Sequence, residues 1–200
     1  MSLNEHGKQP QRRRGKALET AILEAAWDEL VEHGYAGFTI DGVARRAATS
    51  RPVVYRRWAT RQELVRAAVA HRGAQEDRTV PDTGSLRGDL IAVLTHANKS
   101  RAGVITLMAL QLGGYYEETG TSLADLRRAF IGDGATSMDQ VMQRGIERGE
   151  IDAARLTPRI ATLPFDLFRH ELLMTLRPAS QETIEEIVDT IFLPLVTPSS

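Results

Sequence analysis

The most constraining feature of the chain is the stretch TIDGVARRAATSRPVVYRRWATRQEL, residues 39–64. Thr39 stands where an N-cap belongs, ahead of Ile40, Val43 and Ala44 at helical spacing. The helical signal stops near Ala47, and Ala48-Thr49-Ser50 read as a tight turn. Ser50 is the next candidate cap, and Pro52 falls in the first turn of the following helix, where a missing N–H costs little. Thr60 and Glu63, three apart, fit a capping box that opens a further helix. Two short helices joined by a tight turn are what a helix-turn-helix requires, the second entering the DNA major groove by its N-terminal residues.

The side chains suit that task. Thr49 and Ser50 carry short hydroxyls for phosphates or bases, Arg51 and Arg56 planar donors that match phosphate oxygens or a guanine edge, and Val53 an apolar face for a thymine methyl. Base reading is expected from residues 49–53, Pro52 included, while Thr39, Tyr55, Arg56 and Arg61 position phosphates. Val43, Ala44, Ala47, Val54 and Trp58 form the expected scaffold.

Charge supports a polyanionic partner. The whole chain carries a formal charge of −1, but residues 1–66 hold 12 Lys/Arg against 8 Asp/Glu. Residues 1–16, with Lys8, Arg12, Arg13, Arg14 and Lys16, read as a flexible basic arm. With no cysteine, disulfides and thiolate chemistry are excluded. No apolar run is long enough to span a membrane, and the polar N-terminus lacks a secretory core, so a cytoplasmic protein without membrane association is expected.

Helical periodicity continues throughout, and no alternating strand pattern occurs. Helices are expected over 17–33, 40–47, 51–57, 61–73, 85–98, 101–115, 122–148 and 158–177, with a last one opening at Ser180 and carrying Ile184, Ile187, Val188, Ile191 and Phe192. The fold class is therefore all-α with about nine helices. The expected organisation is the arm 1–16, a helix-turn-helix domain 17–73, a linker 74–84 marked by Pro81 and Gly84, and a helical domain 85–200. Pro164 falls inside the helix 158–177 and should kink it or free a carbonyl.

Residues 17–69 resemble the TetR family of bacterial repressors. The resemblance rests on Ile22-Leu23-Glu24-Ala25-Ala26, Gly34-Tyr35, Phe38-Thr39, Ile40 through Ala47, Thr49-Ser50-Arg51-Pro52, Val54-Tyr55-Arg56-Arg57-Trp58, Thr60-Arg61 and Glu63-Leu64. Two positions depart from the family pattern: Ala48 replaces the usual turn glycine, and Thr49 the usual apolar residue after it. The rest of the chain resembles the regulatory region of that family more loosely. The resemblance implies a homodimeric regulator, a repressor released from a palindromic operator on double-stranded DNA by a small-molecule effector.

The residues of the second half can be read on those terms. Ile160, Leu163, Leu167, Phe168 and Leu172 form one apolar stripe, and Ile184, Ile187, Val188, Ile191 and Leu195 another. Two such helices can pair with their symmetry mates as a four-helix bundle, or pack into the protomer's own core. Candidate effector contacts are Met108, Gln111, Leu112, Tyr115, Phe130, Met138, Met142, Phe165 and His170, for an apolar or aromatic ligand. Gln111 is a polar residue in an apolar run and must find a partner, and Gly113-Gly114 leave room for a bend. Glu117-Glu118 read as a solvated turn.

No metal-ligand spacing, phosphate loop or nucleophile elbow is present, so no metal, no cofactor and no enzyme activity are expected. Two alternatives stay open: a ligand-independent DNA-binding protein, and a helical carrier or enzyme with a vestigial helix-turn-helix.

Overall fold

A computed structural model describes residues 15–77, 79–131 and 136–198, with the side chains of 100–103 and 105–109 outside the description. Most of the expected basic arm (residues 1–14) and the side chain of Met108 thus lie outside the described residues. Among the described residues every regular element is helical.

The first helix, α1 (Lys16–Gly37), buries Ile22, Ala25, Ala26 and Leu30. Its regular part stops at Gly34, whose φ of 63° is a left-handed conformation that suits glycine. That break turns Tyr35 back onto the body of the protein, where its backbone N–H donates to the Gln111 carbonyl at 3.2 Å. Three helices complete the head: α2 (Ile40–Arg46), α3 (Arg51–Tyr55) and α4 (Arg61–Ala74). The body holds α5 (Leu86–Leu110), α6 (Gly113–Thr119), α7 (Leu123–Ile131), α8 (Ser137–Glu147) and α9 (Pro158–Thr175). The chain closes with α10 (Gln181–Glu186), a π-helical segment (Ile187–Phe192) and α11 (Leu193–Val196). Pro194 explains the wide turn before it: its ring crowds the carbonyl four residues back and offers no N–H to it.

Two expected helix boundaries change. The helices expected at 85–98 and 101–115 are largely one, α5, because neither proline nor glycine interrupts residues 98–102; a break comes only at the Gly113-Gly114 pair. The single helix expected at 122–148 is two. Thr136 starts α8 as a capping box with Asp139, which fixes a helix beginning there rather than a continuation. Helix α9 runs through the buried Pro164.

The apolar side chains collect in two clusters. The first joins the head (Ile22, Leu30, Phe38, Val43, Val54, Leu64, Val69) to Val104, Leu112, Tyr115, Leu126 and Phe130 of the body. The second fills the body around Leu90, Leu94, Val141, Phe168, Leu172, Val188 and Phe192. Helix α4 packs along α1 on one side and α7 on the other. At Gly73 the two helices come so close that a Cβ there would sit 1.8 Å from the Phe130 carbonyl oxygen.

Candidate nucleic-acid interface and effector cavity

Helix α2 begins at Thr39, whose hydroxyl accepts the Gly42 N–H at 3.0 Å and donates to Glu29 at 3.4 Å. Glu29 is buried on α1 and also takes Arg46 at 3.3 Å. Gly42 lets this carboxylate lie against α2, since a Cβ there would stand 1.8 Å from Glu29 Oε1. The exposed Thr39 thus caps α2 and also meets Glu29, a use its expected phosphate role did not include.

The turn that follows is a Schellman motif. The Ala48 N–H donates to the Arg45 carbonyl at 3.2 Å and the Thr49 N–H to the Ala44 carbonyl at 2.9 Å. Ala48 itself has φ 52°, the left-handed state that a glycine would take freely. Ser50 then occupies the N-cap position of α3 with extended backbone, but its hydroxyl makes no cap bond. Val54 anchors α3 in the core, and Ser50, Arg51, Pro52, Tyr55 and Arg56 stand exposed. Thr49 and Val53 are half-buried. Arg51 reaches Asp41 of α2 at 3.1 Å, a pair between exposed groups that holds little energy and opens easily.

Arg61 behaves differently. Its guanidinium donates to Glu118 of α6 at 2.5 Å and lies 4.2 Å from the centre of the Tyr35 ring. The Tyr35 hydroxyl donates to the same carboxylate at 2.5 Å, and the Gln62 amide at 2.7 Å. These three donors hold the Glu118 carboxyl below its ordinary range, Tyr35 contributing most. Burial, then the bond to Glu118, pushes the Tyr35 phenol up to about 12. The expected phosphate contact of Arg61 is therefore committed to a joint between head and body. At the N-terminus of α4, Thr60 caps the Glu63 N–H at 3.1 Å, while Glu63 returns to the Ala59 N–H at 2.8 Å rather than to Thr60.

A cavity of about 350 Å³ opens at the end of α4. Gly73 and Glu76 form one wall, Phe130 and Ile131 of α7 another, and the first turn of α8 a third. Helix α9 supplies Arg159, Thr162, Phe165, Asp166 and Arg169. Among the described residues no group of His, Asp and Glu is arranged to hold a metal ion.

Comparison with known proteins settles the family. Residues 22–68 match the family described as bacterial regulatory proteins, tetR family, and residues 80–191 match the tetracyclin repressor-like C-terminal domain. The chain belongs to the TetR family. It is similar to an HTH-type transcriptional regulator of Mycobacterium tuberculosis, at 30% identity over 191 residues, 91% of this chain and 89% of that one. It is also similar to the DNA-binding transcriptional repressor TetR of Mycobacteroides abscessus, at 29% identity across 94% of this chain and 98% of that one. Among solved structures it shares the fold of a TetR regulator from Agrobacterium tumefaciens (TM-score 0.63, 21% identity, 92% and 97% covered). It likewise shares that of the flavonoid-responsive regulator FrrA (TM-score 0.62, 19% identity, 92% and 98% covered). As a TetR-family member the chain is a DNA-binding transcriptional regulator, acting as a dimer on operator DNA and carrying a domain for a small-molecule effector. Among the described residues no helix is long and apolar enough to cross a membrane.

In this TetR-family chain the expected effector residues separate. Phe130, Met138 and Phe165 line the cavity. Leu112 and Tyr115 are instead buried in the core shared with the head, Tyr115 meeting Tyr35 edge-on at 5.5 Å. Gln111 has an exposed side chain and uses its backbone carbonyl on Tyr35, Met142 is buried in the second cluster, and His170 is exposed; none of these lines the cavity. The expected dimer stripes separate too. Phe168, Leu172, Ile184, Ile187 and Val188 are at most 5% exposed and pack α9 against the C-terminal helices of the same protomer. They have no surface left for a partner. Ile160, Leu163 and Leu167 are half-buried, and Ile191 and Leu195 are exposed.

Sequence reasoning missed Glu118 and the cavity arginines. Glu118 sits one turn from Tyr115 on α6, a spacing that puts both on one face toward the head. Thr162, Phe165, Asp166 and Arg169 share one face of α9 at spacings of three and four, a polar strip beside the apolar stripe of that helix.

Proposed function

We propose that this regulator is a repressor that reads a palindromic operator through two copies of α3 and releases it when a small, predominantly apolar or aromatic molecule fills the cavity. The observation that carries the reading is the placement of α3: one buried anchor, Val54, presents Ser50, Arg51, Pro52, Tyr55 and Arg56 to solvent as a single ridge. Residues 49–53 read bases from that ridge, and Tyr55 and Arg56 hold phosphates. The dimer forms through what the C-terminal helices leave outside, the exposed Ile191 and Leu195 together with the half-buried Leu163 and Leu167 of α9.

The cavity supports the release step by its position. Gly73 belongs to the last turn of the head's last helix and Glu76 follows just after it, so a ligand against them bears on the angle of α4. Occupancy shifts the dimer toward a head separation that no longer matches the half-sites. Head (17–73), linker (74–84) and body (85–200) are the working units of this reading, which places the protein in the cytoplasm and gives it no catalytic role.

Fluorescence anisotropy against labelled duplexes from the region upstream of its own gene tests it. Nanomolar, palindrome-dependent binding is expected. A folded dimer that binds no palindromic duplex at low salt overturns it.

A further inference from the structure

We propose that the effector is an organic anion: a carboxylate on a body of one or two aromatic rings, its acid group held by Arg127, Arg159 and Arg169. This rests on the cavity being the effector site. The rings lie against Phe130, Phe165 and Met138.

The carboxylates of the cavity are already engaged. Asp139 accepts the Thr136 N–H at 2.7 Å and its hydroxyl at 2.8 Å. Asp166 takes Arg169 at 3.1 Å and the Thr162 hydroxyl at 2.8 Å. Glu76 is paired with Arg72 at 3.2 Å. The cations are not matched to the same degree. Among the described residues Arg127 and Arg159 make no ion pair, and Arg169 has Asp166 alone, its guanidinium 5.2 Å over the Phe165 ring. Burial lowers the pKa of Arg169, and although Asp166 works against this, the charge of Arg127 adds to it. Arg127 and Arg169 both line the cavity with like charge.

Arg127 and Arg159 are exposed and Arg169 is half-buried, so a neutral ligand filling this space strips water chiefly from Arg169 and gives it nothing back. An anion engages these groups in charge-assisted, fork-shaped contacts. The apolar wall offers two phenylalanines and a methionine, and a cavity of about 350 Å³ suits a small aromatic acid rather than a large conjugate.

Calorimetry on the full-length dimer tests this with phenylacetate and 2-naphthylacetate beside their neutral amides. The acids are expected to bind about tenfold or more tightly than the amides. The Arg127→Gln, Arg159→Gln double variant keeps Arg169 and should cut that preference severalfold, weakening the acids more than the amides. Equal binding of acid and amide overturns the anionic class and leaves the cavity as a neutral ligand site. An acid preference undiminished in the double variant overturns the assigned residues. No binding of any of the four, by a dimer that still holds its operator, overturns the cavity as effector site and this inference with it.

Discussion

Arg61 is shared between Glu118, which it meets at 2.5 Å, and the face of Tyr35, 4.2 Å away. The contact ties the first residue of the head's last helix to α6 of the body. A guanidinium so held gives no phosphate contact. Removing one phosphate-binding cation lowers the slope of log affinity against log salt by about 0.9. Arg61→Gln should leave that slope unchanged, and Arg56→Gln should reduce it. Anisotropy titrations between about 50 and 200 mM salt, the range over which such slopes show clearly, separate the two. A reduced slope for Arg61→Gln returns it to the DNA surface.

Ala48 takes the left-handed seat of a Schellman motif, with φ 52°. For an alanine this costs about 1–2 kcal/mol, part of which a glycine gives back as unfolded-chain entropy. Ala48→Gly should therefore raise stability by about 0.5–1 kcal/mol, or roughly 1–4 °C in Tm for a chain of this size. Thermal unfolding followed by circular dichroism reads it. No gain means the turn is unstrained.

Gly73 allows α4 to lie on the Phe130 backbone, with room for no Cβ. Backbone cannot swing aside as a side chain can, so Gly73→Ala must push α4 from α7. A loss of about 1–3 kcal/mol is expected, as for other overpacked sites. Because Gly73 and Phe130 also line the cavity, the same variant should change effector affinity. Wild-type stability in urea with unchanged ligand binding rules out the close packing.

Asp89 is fully buried, which raises its carboxyl, but the Thr83 N–H at 2.6 Å and hydroxyl at 2.8 Å, with Arg148 at 2.8 Å, outweigh burial and hold it below its ordinary value. A carboxylate lowered on folding stabilises the native state above its unfolded value of about 4, and that stability is lost as pH falls through the folded value. Asp89→Asn should cost about 2 kcal/mol at neutral pH, since Arg148 keeps Glu150 at 2.7 Å. The gap between variant and wild-type Tm should close below about pH 4. A gap that stays constant down to about pH 2 assigns the loss to something other than ionisation.

Ile191 and Leu195 stand 37% and 40% exposed beside a core already filled by Val188 and Phe192. Replacing both by Glu should leave each protomer folded and shift the dimer to monomer in size-exclusion chromatography with light scattering. Operator affinity should fall at least as steeply, because two half-sites are then bound independently. A dimer that persists places the interface elsewhere.

What was legible in the sequence was local. Thr39, Thr60, Thr157 and Ser180 each accept an N–H three residues on, and a bond of that range is written in the sequence itself. The helix-turn-helix followed from such signals, while the departure at Ala48 showed only against the family pattern the chain resembles. The joint at Glu118 was not legible, because Arg61 and Glu118 are 57 residues apart and a paired Glu reads like any solvated one. Nor was the fate of the C-terminal stripes. Phe168 and Val188 have the spacing a dimer seam needs, but periodicity states that a face is buried and not by which copy of the chain.

The first core cluster takes Val104, Leu112, Tyr115, Leu126 and Phe130 from the body into the same packing as Ile22, Val54 and Leu64 of the head. The seam between the two units therefore runs through interlocked side chains and does not coincide with the stretch of chain that joins them. Recombination between relatives within 74–84 would keep both sequences intact and still set mismatched surfaces against each other. In such a lineage, new operator specificity arises more readily by changing the few exposed residues of α3 than by exchanging whole heads.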